Sequence, residues 1–422
     1  MDKAILVNLA TTKLEKQEAQ ESMEELAGLA ESAGAEVVEK IFQVRARVSP
    51  KFLLGKGKVE EIARLRAKFR ADVVIFDNSL TPIQQKNLEN AFKARVIDRP
   101  QLILDIFSQR ARSNEGKLQV ELAQLSYRLP RLVGKGAGLS RLGAGIRTRG
   151  PGEQKLEEDR RRITDRITKI KKDIDAIQKR RAGQRRSRKT SPVPVVSLVG
   201  YTSAGKSTLF NHLSQEKRFT SPKLFATLDP LLRRVTFPDG LYFFLSDTVG
   251  FIKKLPVELI TSFRATLEEL READAICHII DATSPYSLSQ AEAVDAILAD
   301  IGVPEIPVLK VFNKIDLLPA SEKADLLRKN DSAYGLALYI SAKTGEGIPR
   351  LMERLREVLF KGQKPYYLRI PRNGEDIFRS LSKRFLILKR RENGDFLEFK
   401  LMADPSVIVN YLPYIDPEGG AW

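Results

Sequence analysis

Along this chain, apolar and polar residues recur in several distinct patterns. Over residues 1–112, strand-like runs alternate with helix-like segments. Ala4 to Leu9, Val37 to Val44, Val73 to Phe76 and Arg95 to Ile97 read as strands. Gln17 to Ser32, Lys58 to Phe69, Pro82 to Phe92 and Gln101 to Arg112 read as helices. That alternation predicts a small α/β domain. Gly55-Lys56-Gly57-Lys58 lies between a strand and a helix, and reads equally well as an anion-binding turn or as a turn with solvated lysines.

Residues 113–190 change to a heptad spacing. Leu118, Leu122, Leu125, Leu129 and Leu132 form one series; Leu156, Ile163, Ile167, Ile170, Ile174 and Ile177 form another. Two such seams predict a pair of helices packed as an antiparallel hairpin. The tip, residues 133–152, holds the run Gly134 to Gly152, with seven glycines, several basic residues and no acid. An irregular connection of that length is uncommon unless it has a function or is disordered. Gly183 to Pro194 is basic, ends in proline and reads as a linker.

Residues 194–361 bring short apolar runs back: Val195 to Val199, Leu241 to Leu245, Ala275 to Ile280, Val308 to Phe312 and Leu338 to Ile340. Such runs suit buried parallel strands. Residues 365–422 predict a small α+β domain. Its strand-like runs are Tyr366 to Ile370, Phe396 to Met402 and Val407 to Tyr411, with a helix near Ile377 to Phe385.

Composition changes the picture in two places. The chain has 422 residues and a net charge of +17, and residues 128–190 hold 21 Lys and Arg against 7 Asp and Glu, which is +14 of it. Charge gathered so tightly points to a polyanion, with RNA or DNA the default. Arg141, Arg147 and Arg149 are the candidate phosphate contacts, on a glycine-rich tip able to approach another backbone closely. The single cysteine, Cys277, excludes an intrachain disulfide framework, lies in an apolar run and suits a reducing cytoplasm. With only His212 and His278, and no cysteine cluster, no zinc site is expected. The start, Met1-Asp2-Lys3, is not a secretory signal, and no uncharged apolar stretch is long enough to span a bilayer.

The chemistry centres on Gly200-Tyr201-Thr202-Ser203-Ala204-Gly205-Lys206-Ser207, between a strand and a helix start. This is a P-loop. Its backbone N–H groups converge on a helix N-terminus, where a phosphate is favoured. Lys206 would reach the β- and γ-phosphates and the Ser207 hydroxyl would ligate Mg²⁺. Asp247-Thr248-Val249-Gly250 follows a strand; Asp247 would hold Mg²⁺ through a water, and the Gly250 N–H would sense the γ-phosphate. Asn313-Lys314-Ile315-Asp316 follows another strand. Asp316 would accept two hydrogen bonds from guanine N1 and N2, a pair adenine lacks. Asn313 would read N7, the Lys314 stem would cover the ring, and Ser341-Ala342-Lys343 would offer a backbone N–H to O6. A switch threonine belongs between the P-loop and Asp247. It would contact Mg²⁺ and the γ-phosphate only in the triphosphate state; Thr227 is the leading choice, with Thr220 and Thr236 as alternatives.

These elements resemble a translation-factor-type GTPase domain. Gly150-Pro151-Gly152-Glu153 and Leu156-Glu157-x-Asp159-Arg160-Arg161, with the α/β domain and basic hairpin ahead of the P-loop, extend the likeness to nearly the whole chain. The sequence resembles the HflX family of ribosome-associated GTPases. The resemblance implies a cytoplasmic, monomeric GTPase that binds GTP or GDP with Mg²⁺. It also implies docking on the large (50S) ribosomal subunit and its RNA, with the hairpin tip near the peptidyl-transferase region, and splitting or rescue of stalled ribosomes under stress. Two positions depart from other GTPases. Ser203 stands where many carry an asparagine that helps hold an activating K⁺, which leaves K⁺ dependence open. Phe251 stands where Ras-type enzymes carry a water-orienting glutamine, so slow intrinsic hydrolysis, stimulated by the ribosome, is expected.

Overall fold

A four-stranded parallel sheet, a six-stranded mixed sheet and a three-stranded antiparallel sheet carry the chain. The computed structural model describes residues 1–12, 15–134, 151–189, 192–215, 231–247, 250–252, 269–303, 306–323, 337–372 and 374–416. They divide into two compact units, the first holding residues 1–177 and the second most of the remainder.

In the first unit, β1 (Asp2–Ala10), β2 (Ala35–Val44), β3 (Val73–Phe76) and β4 (Arg95–Asp98) form an all-parallel sheet in the order β2-β1-β3-β4. The helices α1 (Glu15–Ser32), α2 (Lys56–Phe69), α3 (Pro82–Phe92) and α4 (Arg99–Arg110) alternate with the strands as expected. Burial explains the strand signal: β3 is buried at all four positions, so it reads as an unbroken apolar run. Two helix starts are fixed locally. Thr81 and Gln84 form a capping box on α3, and the Asp98 carboxylate accepts the Gln101 N–H at the start of α4. Gly55 is the N-cap of α2, and Lys56, Gly57 and Lys58 form its first turn, where Lys58 pairs with Glu61 at 2.7 Å.

Polar groups far apart in sequence also meet inside this unit. The fully buried Arg99 donates to Asp77 at 2.7 Å and pairs with Glu25, while Asp77 also accepts from Asn8 and Ser22. Burial opposes the guanidinium charge, yet the Glu25 and Asp77 carboxylates hold its pKa above the usual arginine value.

Helix α5 (Asn114–Arg128) uses two faces. One buries Gln119, Val120, Ala123 and Tyr127. The other carries Leu122, which clusters with Ile170 and Ile174 of α6 (Pro151–Lys189), flanked by Leu118, Leu125 and Ile167. Arg166 adds a two-pronged ion pair to Glu121 at 2.7 and 2.8 Å. The heptad stripe is therefore real over its middle. Leu129 and Leu132 depart from it, because they fall in a 3-10 turn, Leu129–Gly134. That turn is anchored by Arg131, whose guanidinium stacks on Tyr127 and donates to the Leu80 carbonyl. The hairpin base is thus joined to the α/β domain. Residues 135–150, including Arg141, Arg147 and Arg149, lie outside the described residues. The expected linker from Gly183 needs correcting: α6 continues through Lys189, since that stretch has no proline before Pro192 to break the helix.

In the second unit, β5 (Val195–Gly200), β6 (Leu231–Thr236), β7 (Tyr242–Asp247), β8 (Ala275–Asp281), β9 (Val308–Asn313) and β10 (Leu338–Tyr339) form a sheet ordered β10-β9-β8-β5-β7-β6. All neighbours are parallel except β6 with β7. Cys277 is a core residue, 1% exposed, and burial pushes its thiol pKa up to about 12.

The C-terminal part is an antiparallel sheet of β11 (Lys364–Pro371), β12 (Leu386–Asn393) and β13 (Phe396–Ala403), ordered β11-β13-β12, with the helix Glu375–Arg384. The expected strand Val407 to Tyr411 is instead a short helix, Pro405–Ile408, running into a 3-10 turn, Val409–Tyr414. Asp404 caps it by accepting the Ser406 N–H, with Pro405 at the first helical position. Among the described residues, no helix is long and apolar enough to cross a membrane.

Candidate functional site

The P-loop leaves β5 at the centre of the second sheet. β5 lies between β7 on one side and β8 on the other. A crevice opens at the carboxyl ends of strands where the order reverses in this way. The same register brings the other motifs to that edge, since Gly200 pairs with Ile279 and Asp281 with Asn313. Asp247 closes β7, and Ser341 follows β10.

Two glycines are required by space as well as by backbone angle. Gly200 (φ 148°) has no room for a Cβ beside the Ile279 carbonyl, and Gly205 (φ 96°) has none beside the Asn313 amide. Gly205 is also the N-cap of the helix α7 (Lys206–Ser214). Between them Tyr201, Thr202 and Ala204 are buried, and Ser203 is exposed with φ 60°.

Lys206 is 6% exposed. Its ammonium donates to the Gly200 and Tyr201 carbonyls at 2.9 and 2.8 Å. Burial lowers its pKa to about 8, against the pull of Asp247 in the other direction. A polyphosphate entering the loop would supply the missing counter-charge. The Ser207 hydroxyl donates to Asp247 Oδ2 at 3.1 Å, so two of the three expected Mg²⁺ ligands stand side by side. A hydroxyl and a carboxylate are hard oxygen donors, the set Mg²⁺ takes beside phosphate oxygens; the residues present fit that ion.

On the base side, Asn313 is 2% exposed, donates to the Ala204 carbonyl at 2.8 Å and accepts the Ala342 N–H at 2.9 Å. It braces the P-loop against the loop after β10, a role the sequence reading of Asn313 as an N7 reader did not include. Ser341 is fully buried, and its hydroxyl accepts the Thr344 N–H. Lys343 is exposed. Lys314 has φ 69° and pairs with Asp281. Asp281 was missed from sequence. Its other oxygen accepts from the Thr283 N–H and hydroxyl, so the carboxylate is fixed from both sides. Asp316 sits exposed in the turn Ile315–Leu317, open to a base.

The structure brings together Lys206, Ser207, Asp247, Asn313, Lys314 and Ala342. Thr227, Thr220, Thr248 and Val249 lie outside the described residues, while Thr236 is exposed at the end of the edge strand β6. Gly250 and Phe251 are buried, Phe251 at 3%.

Residues 20–108 match the family of GTP-binding GTPase N-terminal domains, 110–188 the GTP-binding GTPase middle region, and 195–314 the 50S ribosome-binding GTPases. The chain is 47% identical over 363 residues to GTPase HflX of Caldanaerobacter subterraneus subsp. tengcongensis, covering 85% of this chain and 81% of that protein. It is 44% identical over 370 residues to GTPase HflX of Escherichia coli strain K12, covering 88% and 86%. Among solved structures, the complex of SsGBP with GDP is similar at a TM-score of 0.51 and 26% identity, over 85% of this chain and 98% of that one. The chain is a GTPase and belongs to the HflX family.

Proposed function

We propose that the GTP-bound chain docks on the large ribosomal subunit through residues 128–190, and that hydrolysis releases it. In this reading the arm tip, with Arg141, Arg147 and Arg149, contacts ribosomal RNA, and docking splits or rescues stalled ribosomes under stress. The observation that carries it is the gathering of buried Lys206, the Ser207–Asp247 pair and the Asn313–Ala342 brace at one sheet edge, in a chain with +14 on its arm. The ribosomal partner is supported by the 50S ribosome-binding GTPase family matched over residues 195–314.

Each residue has a task. Lys206 holds the β- and γ-phosphates and meets charge as it develops on the transferred phosphoryl group. Ser207 and Asp247, with Thr227 as the switch threonine, hold Mg²⁺, which when bound neutralises the phosphate oxygens. Asp316 accepts the guanine N1 and N2 hydrogens, Lys314 covers the ring, and O6 shares the Ala342 N–H with Asn313. Phe251 offers no polar group to orient the attacking water, so the ribosome completes the site.

GTP turnover measured with and without 50S subunits tests this. Turnover at low salt rises when subunits are added; no stimulation would overturn the reading. The buried apolar Phe251 favours one other reading, a nucleotide-gated factor that blocks subunit association without hydrolysis. Multiple-turnover ribosome splitting that persists with a non-hydrolysable GTP analogue would select it.

A further inference from the structure

Each face of the C-terminal sheet can be read from its cross-strand pairs. One face buries Leu368, Ile370, Leu397, Phe399 and Leu401 in the domain core. The other carries the rows Arg369–Glu398–Arg391 and Tyr367–Lys400–Lys389, then Phe396 beside Asn393. At one end of this outer face Leu386 and Met402 are covered, in the same core as Phe360. Beyond that end the basic side chains reach solvent: Arg369 and Arg391 are 49% and 40% exposed and Lys389 is exposed, while Tyr367, Phe396 and Lys400 are partly exposed and Glu398 is buried between the arginines.

Two features set this surface apart from an ordinary solvated face. Lys389 and Lys400 sit directly opposite each other on neighbouring strands. Like charges so placed destabilise a sheet, and an anion laid across them would relieve the repulsion. Cations also lie against aromatic rings here, with Arg369 4.1 Å from the Phe396 centroid and Lys400 5.5 Å from that of Tyr367. Glu398 is the one acid in these rows. The Arg391 hydrogen bond holds its carboxyl below the usual range, so it stays ionised and orients Arg391 and Asn393.

We propose that this outer face is a second RNA-binding surface, separate from the arm, that takes a single-stranded ribonucleotide segment. Lys389, Lys400 and Arg369 contact phosphates, and the Tyr367 and Phe396 rings meet bases, the combination of charge and stacking that single strands require. The choice of RNA over another polyanion rests on the ribosomal reading above.

The test uses the full chain with the substitutions Arg369→Gln, Lys389→Gln and Lys400→Gln together. A companion variant carries Arg369→Lys, Lys389→Arg and Lys400→Arg. Binding of a 12-nucleotide oligo(U) and of 50S subunits is followed against salt, with GDP binding as the control for folding. The neutralised variant is expected to lose about tenfold or more in oligo(U) affinity. Its slope of log K against log salt becomes shallower by about 2, as three lost phosphate contacts predict. The charge-retaining variant keeps the wild-type slope. Unchanged oligo(U) affinity and slope in the neutralised variant would overturn the proposal. If 50S binding alone then fell, the face would be assigned to an acidic protein instead. Absence of GTP-dependent 50S binding by the wild-type chain would count against the ribosomal reading alone, because the oligo(U) slope reports on the face independently.

Discussion

The side-chain amide of Asn313 bonds to the Ala204 carbonyl of the P-loop at 2.8 Å, across 109 positions of sequence. Through the same side chain, the Ala342 N–H is held at 2.9 Å. One buried amide thus fixes the phosphate-binding loop to the loop expected to meet guanine.

Removing that amide should therefore weaken both halves of the site. Asn313→Ala leaves a buried carbonyl and a buried N–H without this partner, at a cost of roughly 1–3 kcal/mol each. GDP affinity is expected to fall by about tenfold or more, read from the fluorescence of a labelled GDP. Wild-type affinity in the variant would refute the bracing role.

Lys206 predicts a proton uptake. Its pKa in the free protein is lowered to about 8 by burial, below the ordinary lysine value near 10.5. Between those values the folded chain binds fewer protons than the unfolded chain, so this group's contribution to stability rises with pH across that window. Phosphates in the loop should return the ammonium towards its ordinary pKa. GDP binding near pH 9 should then take up a proton, measured by calorimetry in buffers of different ionisation enthalpy, and Lys206→Ala should abolish the uptake. No difference between buffers would contradict the assignment.

Asp281 should act through Lys314. Asp281→Asn removes the carboxylate that holds the lysine stem in place. This ion pair is partly exposed, and such a pair contributes on the order of 1 kcal/mol, so a several-fold loss of both GDP and GTP affinity is expected. Preference for guanine over adenine should survive, because Asp316 is untouched. Loss of base discrimination would show that Asp281 does more than position Lys314.

The hairpin seam should depend on its apolar contacts far more than on its ion pair. Ile170 is fully buried against Leu122, and Ile170→Ala should cost about 2–4 kcal/mol. Glu121→Gln breaks the exposed pair with Arg166 and should cost less than about 1 kcal/mol. Denaturant midpoints of the full chain compare the two, and equal effects would mean that the seam is mispaired.

Pattern and fold agreed wherever one short stretch of sequence carried the whole physical cause. The strands β3 and β5 are buried apolar runs, and α3 begins with its own capping box. Strand β12 was not legible. LILKRREN is mostly exposed and charged, and only pairing with β13 makes it a strand. The run VIVNY was misread because its apolar residues suggested a strand, while the Asp404 cap and Pro405 started a helix.

Residue order alone displays a P-loop, the motifs that read guanine and a basic stretch ahead of them. Those motifs act through neighbouring residues, and neighbours are what a linear pattern records. Folding was needed to bring Asn313 to Ala204, Asp281 to Lys314, Arg99 between Asp77 and Glu25, and Lys389 opposite Lys400. Each of these pairings depends on which strand or helix lies beside which. That choice belongs to the packing of whole elements, and residue order does not display it.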